Sequence, residues 1–280
     1  MTREEDTLSN ILAWATREPD VRCLLLVGSR ARTANPDDLA DFDVQVYTKT
    51  HEPYTRDHQW LSGIGQVWVC VPDQYSDGDI QVPTRLVIFD GGVKVDFAFY
   101  PAGHVSSGLS AGLPHRILLD KDHASSCRET RPGPPTQPEI PSSESFSRLV
   151  EEFWFEAYHV AKYLARNELW LAKSRDWSTK QLLLAMIGWH ERIVRGRAPG
   201  ADFAGERVRV SPDTWELLQQ TFGSFARDDA WKAALATMEL FRRLATEVAA
   251  AAGFTYAADL DRNISEFIRK LRASHLDAVR

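Results

Sequence analysis

Five prolines and a glycine crowd the stretch from Arg131 to Pro141: Pro132, Gly133, Pro134, Pro135, Pro138 and Pro141. Proline has no backbone N–H to donate and its ring fixes φ, so this stretch can form neither a helix interior nor a central strand. It reads as a linker over 131–144, and the chain changes character across it. With 280 residues in all, each side is long enough to bury a core of its own.

Before the linker the pattern is that of short strands. Val21 to Val27 is a continuous apolar run suited to a strand buried on both faces, and Asp41–Thr48, Gln66–Val71, Arg85–Phe89, Lys94–Tyr100 and Ile117–Leu119 are further strand candidates. Asp90-Gly91-Gly92 supplies the positive φ a tight turn needs, so the strands on either side of it should pair antiparallel. Arg3 to Arg17 carries Leu8, Ile11, Leu12 and Ala15 at helical spacing and should pack on this sheet.

After the linker the periodicity is helical throughout, over Ser145–Lys173, Ser178–Val194, Ser211–Phe222, Asp228–Ala252 and Asn263–Ser274. Ser178 with Gln181 has the form of a capping box, and Ser211-Pro212 that of an N-cap followed by proline. The expected fold class is α+β. A mixed β-sheet domain with flanking helices (1–130) precedes a helical bundle domain (145–280).

Chemistry concentrates in the first half. Gly28 ends a buried strand, where a missing side chain lets backbone N–H groups approach an anion, and Ser29 adds a hydroxyl at the start of the next helix. Asp41 and Asp43 lie two apart on a strand and so share one face, while Phe42, Val44 and Val46 face the core. In the second strand of the hairpin Lys94, Asp96 and Ala98 share a face opposite Val95, Phe97 and Phe99, which lets Asp96 join the pair. Three converging carboxylates raise one another's pKa and oppose folding unless a cation neutralises them, and an all-oxygen site that also holds phosphates suits Mg²⁺. An isolated Asp-x-Asp would more readily be the solvent side of an edge strand, and Gly28-Ser29 an ordinary turn. The ordered combination of strand-Gly-Ser, Asp-x-Asp and Val95-Asp96-Phe97 favours a metal-phosphate site.

This order resembles the signature of the nucleotidyltransferase superfamily that includes DNA polymerase β. The chain is more closely similar to the aminoglycoside 6-adenylyltransferases, also called streptomycin adenylyltransferases, over nearly its full length. The similarity includes Leu86-Val87-Ile88-Phe89-Asp90, Val95-Asp96-Phe97, Leu118-Leu119-Asp120-Lys121-Asp122, Glu152-Phe153-Trp154, Phe241-Arg242 and Phe254-Thr255-Tyr256. One departure is Ala257-Ala258, where the family is expected to carry a proline.

The resemblance implies a Mg²⁺-dependent transfer of AMP from ATP to a hydroxyl of a cationic small molecule, foremost the 6-hydroxyl of streptomycin, giving antibiotic resistance. In it Asp41, Asp43 and Asp96 are the catalytic and metal-binding residues, with Asp96 either the base or a ligand. Gly28, Ser29 and Arg30 hold the phosphates. On the first long helix of the second half, periodicity puts Glu152, Glu156, His159 and Tyr163 on one stripe and Lys162 and Arg166 on the next. The first stripe suits an acceptor's guanidinium or ammonium groups, with Glu152, Glu156 and Tyr163 its contacts; Lys162 and Arg166 suit the triphosphate. The same stripe also suits a solvated helix face. Alternative acceptors are a lincosamide-like compound or a protein hydroxyl, and an antitoxin-like interaction module is the non-catalytic alternative.

Composition narrows the rest. A net charge of −6 argues against capture of nucleic acid and favours cationic ligands. No apolar run approaches the roughly 20 residues that span a bilayer, and charged residues near Met1 leave no signal-peptide core, so a cytoplasmic protein is expected. The widely spaced Cys23, Cys70 and Cys127 read as reduced thiols, and the histidines lack zinc spacing. Trp189-His190-Glu191, and the tryptophans Trp154, Trp170, Trp215 and Trp231, read as helix packing. Oligomeric state is open, with a monomer the simplest case.

Overall fold

Alternating apolar and polar residues over Phe42–Thr48 and Val93–Pro101 build two adjacent strands that are buried on their Val/Phe side and carry carboxylates on the other. The computed structural model describes residues 3–31, 39–105, 115–123, 140–196 and 210–276. These fall into two compact units, Met1–Pro134 and Pro135–Arg280. Cys127 and most of the proline-rich stretch lie outside the described residues.

In unit 1 the strands are β1 (Val21–Val27), β2 (Phe42–Thr48), β3 (Val67–Asp77), β4 (Ile80–Phe89), β5 (Val93–Pro101) and β6 (His115–Asp120), in sheet order β3-β4-β5-β2-β1-β6. β2 and β5 are parallel and every other pairing is antiparallel, so the sheet is mixed as expected. The Asp90–Gly92 turn joins β4 to β5, with Gly91 and Gly92 both at positive φ.

Helix α1 (Arg3–Arg17) covers the apolar face. Its Ile11, Trp14 and Ala15 are buried; Leu12, expected in the core, is exposed, because Trp14 takes the place beside Tyr54, Trp60 and Phe97. Phe97 and Phe99 of β5 pack edge-on against Trp60 and anchor the strand from below the face that carries Asp96.

β3 and β4 are longer than expected and form a two-stranded ribbon around Asp77-Gly78-Asp79. Pro72 and Pro83 argue against strands in the sequence. Pro72 is tolerated on the sheet's edge strand, and Pro83 lies beyond Thr84–Phe89, the part of β4 that pairs with β5.

With the short Glu52–Arg56 helix of unit 1 named α2, the described residues of unit 2 hold five helices, α3 (Ser143–Ala165), α4 (Leu169–Ile193), α5 (Pro212–Gln220), α6 (Arg227–Ala252) and α7 (Ala258–Leu276). The break between the first two is not at Lys173–Ser178 but at Arg166–Glu168, where Asn167 takes a left-handed φ of 58°. Ser178 is therefore inside a continuous helix and caps nothing. α3 begins at Ser143, within the expected linker, capped by Ser142 Oγ, which accepts from the Ser145 N–H at 3.1 Å.

Phe153 stacks on Phe241 at 3.6 Å between ring centroids, joining α3 to α6. Arg242 donates twice to Asp261, from Nε at 2.6 Å and Nη2 at 2.7 Å; Tyr256 and Ser265 donate to the same carboxylate, and Trp154 Nε1 donates to Tyr256 at 3.2 Å. Trp154, Trp231 and His190 are buried as expected, whereas Trp170 and Trp215 are exposed and do not pack in the core. Among the described residues no helix is long and apolar enough to cross a membrane.

Candidate functional site

β1 runs antiparallel to β2 with Val27 opposite Asp43, and β5 runs parallel to β2 with Asp96 opposite Asp43. Gly28, the residue after β1, thus falls against the Asp43 side chain. A Cβ on Gly28 would lie 2.6 Å from Asp43 Oδ2, and Gly28 has φ +75°, so glycine is required both by the backbone and by the carboxylate beside it. Ser29–Ala31 follows as a 3-10 turn with Ser29 exposed. Ser29 thus stands at the start of a helical turn, and residues 32–38 lie outside the described residues.

Arg30 is not turned outward. Its Nε donates to the Ala40 carbonyl at 2.5 Å and its guanidinium lies 4.2 Å over the Phe42 ring, which fixes the chain on both sides of Asp41. Here it positions a carboxylate, in addition to any charge it lends to a phosphate.

The side chain that sequence reasoning left out is Lys94. Its Nζ donates to Asp41 Oδ2 at 2.6 Å and to Asp96 Oδ2 at 3.0 Å. The signal was present, since Lys94 shares its face with Asp96, but its partner Asp41 is the residue just before β2. Burial lowers the Lys94 pKa, yet the hydrogen bonds and charges of Asp41 and Asp96 outweigh it and leave the ammonium above its ordinary value. Asp43 is pushed up, first by burial and then by the charges of Asp96 and Asp41, with Lys94 opposing.

The donor set is suited to a hard divalent cation: three carboxylates, with Asp96 Oδ1 buried and lacking a hydrogen-bond partner, and no side chain on Gly28 to crowd Asp43. Among the described residues, however, no three His, Cys, Asp or Glu side chains are gathered in metal-binding geometry, and Lys94 bridges two of the carboxylates instead. Cation and ammonium would compete for the same oxygens.

In unit 2, Glu152 and Glu156 line a groove of about 670 Å³ with Glu151, Phe155, Ser178 and Gln181. Each expected glutamate already holds a guanidinium of this chain. Arg148 Nε donates to Glu152 at 2.9 Å, and Arg175 Nη1 donates to both oxygens of the half-buried Glu156 at 3.0 and 3.4 Å. Tyr163 packs against the helical core, outside the groove lining, and His159 bonds the Phe155 carbonyl on its own helix. Lys162 lies 5.1 Å from the Tyr158 ring and Arg166 pairs with Glu168, so both are engaged within their own unit.

A family model described as streptomycin adenylyltransferase matches residues 1–271. The chain belongs to this family. Similar proteins include the aminoglycoside 6-adenylyltransferases of Campylobacter jejuni, 27% identical and covering 96% of this chain and 95% of that one, and of Bacillus subtilis, 25% identical and covering 98% and 99%. The solved aminoglycoside 6-adenyltransferase of Bacillus subtilis matches with a TM-score of 0.46 and 21% identity, over 96% of this chain and 97% of that one. The segments that carried the family resemblance are largely structural joints. Trp154, Arg242 and Tyr256 belong to the Asp261 network, and Lys121 donates to the carbonyls of Ala15 and Glu18, tying the end of β6 to α1.

Proposed function

We propose that the protein is a Mg²⁺-dependent enzyme that transfers AMP from ATP to a hydroxyl of an aminoglycoside, with the 6-hydroxyl of streptomycin the leading acceptor. It would act in the cytoplasm, where ATP is supplied, and protect the cell from the antibiotic. The observation that carries this reading is the register that sets Asp43 against Asp96 across two parallel strands, with Gly28 kept bare beside them. Membership of an adenylyltransferase family supports the same chemistry.

In this reading Asp41 and Asp43, with Asp96, hold Mg²⁺, which when bound supplies neutralisation of phosphate charge and polarisation of the α-phosphorus. The backbone around Gly28 and the Ser29 hydroxyl hold the outer phosphates. The acceptor oxygen forms a bond to the α-phosphorus as the bond to the β-phosphate oxygen breaks; pyrophosphate leaves and the hydroxyl proton passes to Asp96, directly or as that residue ligates metal. A guanidinium-bearing acceptor in the groove of Glu151, Glu152, Phe155 and Glu156 would have to take the place of Arg148 and Arg175, which now pair with Glu152 and Glu156.

Incubation with Mg-ATP and a panel of streptomycin, kanamycin and lincomycin, read by mass spectrometry, tests the proposal. AMP added to streptomycin is the expected product, and Asp43→Asn, folded, should slow it by roughly a thousandfold or more. Near-wild-type turnover in that variant would remove the metal assignment, and no adduct on any aminoglycoside would remove the acceptor.

A further inference from the structure

The parallel register that sets Asp43 opposite Asp96 sets Phe42 opposite Val95, so Asp41, just before β2, lies one step back beside Lys94 of β5. Lys94 then reaches one oxygen of Asp41 and one of Asp96, while its ammonium makes no bond to Asp43. The contact is not locked in place. The Lys94 side chain is 36% exposed, Asp41 42% and Asp96 28%, and the four-carbon stem is flexible. What holds the ammonium is the carboxylates themselves.

We infer that Lys94 is a displaceable counter-cation: it holds Asp41 and Asp96 together in the metal-free protein, and yields them when a divalent ion arrives with the nucleotide. Released from the carboxylates, the ammonium remains on the site face and within reach of a negatively charged phosphate oxygen. Lys94 is thus a positioning residue before nucleotide binding and a phosphate contact after it.

Two physical arguments support this. Three carboxylates on one sheet face repel one another, and a nearby cation lowers the cost of folding with the site empty. A divalent ion interacts more strongly with carboxylate oxygens than an ammonium does, and Asp96 Oδ1 is already buried without a partner, so exchange gains a contact that Lys94 does not make. A lysine suits such an exchange because its single charged group detaches without breaking a paired, planar contact. An arginine would grip the carboxylates through two donors and resist displacement.

This inference rests on the proposed Mg²⁺ site, and its test separates the two. Mn²⁺ binding to the nucleotide-free protein is counted by electron paramagnetic resonance of the free ion, and thermal midpoints are measured in EDTA, for wild type, Lys94→Met, Lys94→Arg and Asp43→Asn. Lys94→Met should melt several degrees lower in EDTA yet bind Mn²⁺ about tenfold more tightly, because the competing charge is gone. Lys94→Arg should restore the midpoint and bind Mn²⁺ more weakly than wild type. The Michaelis constant for ATP should rise in Lys94→Met, marking the lost phosphate contact. If Mn²⁺ binds wild type and Lys94→Met equally but not Asp43→Asn, the metal site stands and the counter-cation role is overturned. If no variant binds Mn²⁺ with or without ATP, both are overturned.

Discussion

Gly28→Ala would separate the stability of this fold from the geometry of its site. The alanine must either keep φ near +75° or move, and a non-glycine residue in the left-handed region costs about 1–2 kcal/mol. Part of this is offset by the smaller entropy of the unfolded chain, worth roughly 0.4–1 kcal/mol, so the net loss should be about 1 kcal/mol and the midpoint should fall by only a few degrees. The new Cβ, however, would sit 2.6 Å from Asp43 Oδ2, and the atom it meets is the end of a carboxylate. The clash is relieved by rotating Asp43 away, which is inexpensive for folding and ruinous for a ligand. Because a misplacement of about 1 Å at a reacting centre can cost on the order of a hundredfold, turnover should fall by that much or more. Scanning calorimetry paired with a pyrophosphate-release assay reads both quantities. A folded Gly28→Ala protein with turnover within about threefold of wild type would refute the argument that Gly28 exists to leave room for Asp43.

Other expectations follow from the helical unit and from Asp96. Glu156→Gln should raise the apparent dissociation constant for streptomycin by about tenfold while leaving ATP binding alone, by calorimetry with Mg-ATP present; unchanged affinity would leave Glu156 as the partner of Arg175 and nothing more. Asp96→Asn should reduce turnover more than it weakens ATP binding if the carboxylate takes the proton, and greater damage to metal affinity would make it chiefly a ligand. Asp261 is raised by burial, but the hydrogen bonds from Arg242, Ser265 and Tyr256 and the Arg242 charge outweigh it and hold the pKa below the ordinary carboxylate value. Its contribution is therefore complete above the unfolded pKa of about 4 and is lost as pH falls through the lower folded value. Asp261→Asn should cost about 2–3 kcal/mol at neutral pH in urea melts, with the gap to wild type closing below about pH 4; a gap independent of pH would deny the ion pair its role.

Local periodicity was enough to read much of this molecule. Strand alternation put Asp41, Asp43 and Asp96 on one kind of face and their aromatic neighbours on the other, and the 3.6-residue repeat put Phe153, Ala157, Val160 and Leu164 in the helical core, where they are buried. Such patterns are written in neighbouring residues and need no knowledge of the rest of the chain. The Asp90–Gly92 turn was equally legible, because positive φ leaves few residues to choose from, whereas Gly28 read as a gap for an anion and only the structure shows the Asp43 carboxylate filling that space.

What the sequence could not determine was which of these faces meet. The parallel register of β2 with β5 brings Asp41 beside a lysine more than fifty residues away and Asp43 beside Asp96, and no local pattern encodes that pairing. The same holds for Arg175, which reaches Glu156 only because the helix breaks at Asn167 and returns along α3, so that a stripe expected to await a ligand's guanidinium already holds one from the chain itself. Proline and polar residues hid the β3–β4 ribbon, since the edge position that tolerates Pro72 is defined by its neighbour in the sheet. Periodicity fixes the direction in which a side chain points; long-range pairing decides which charge lies at its end.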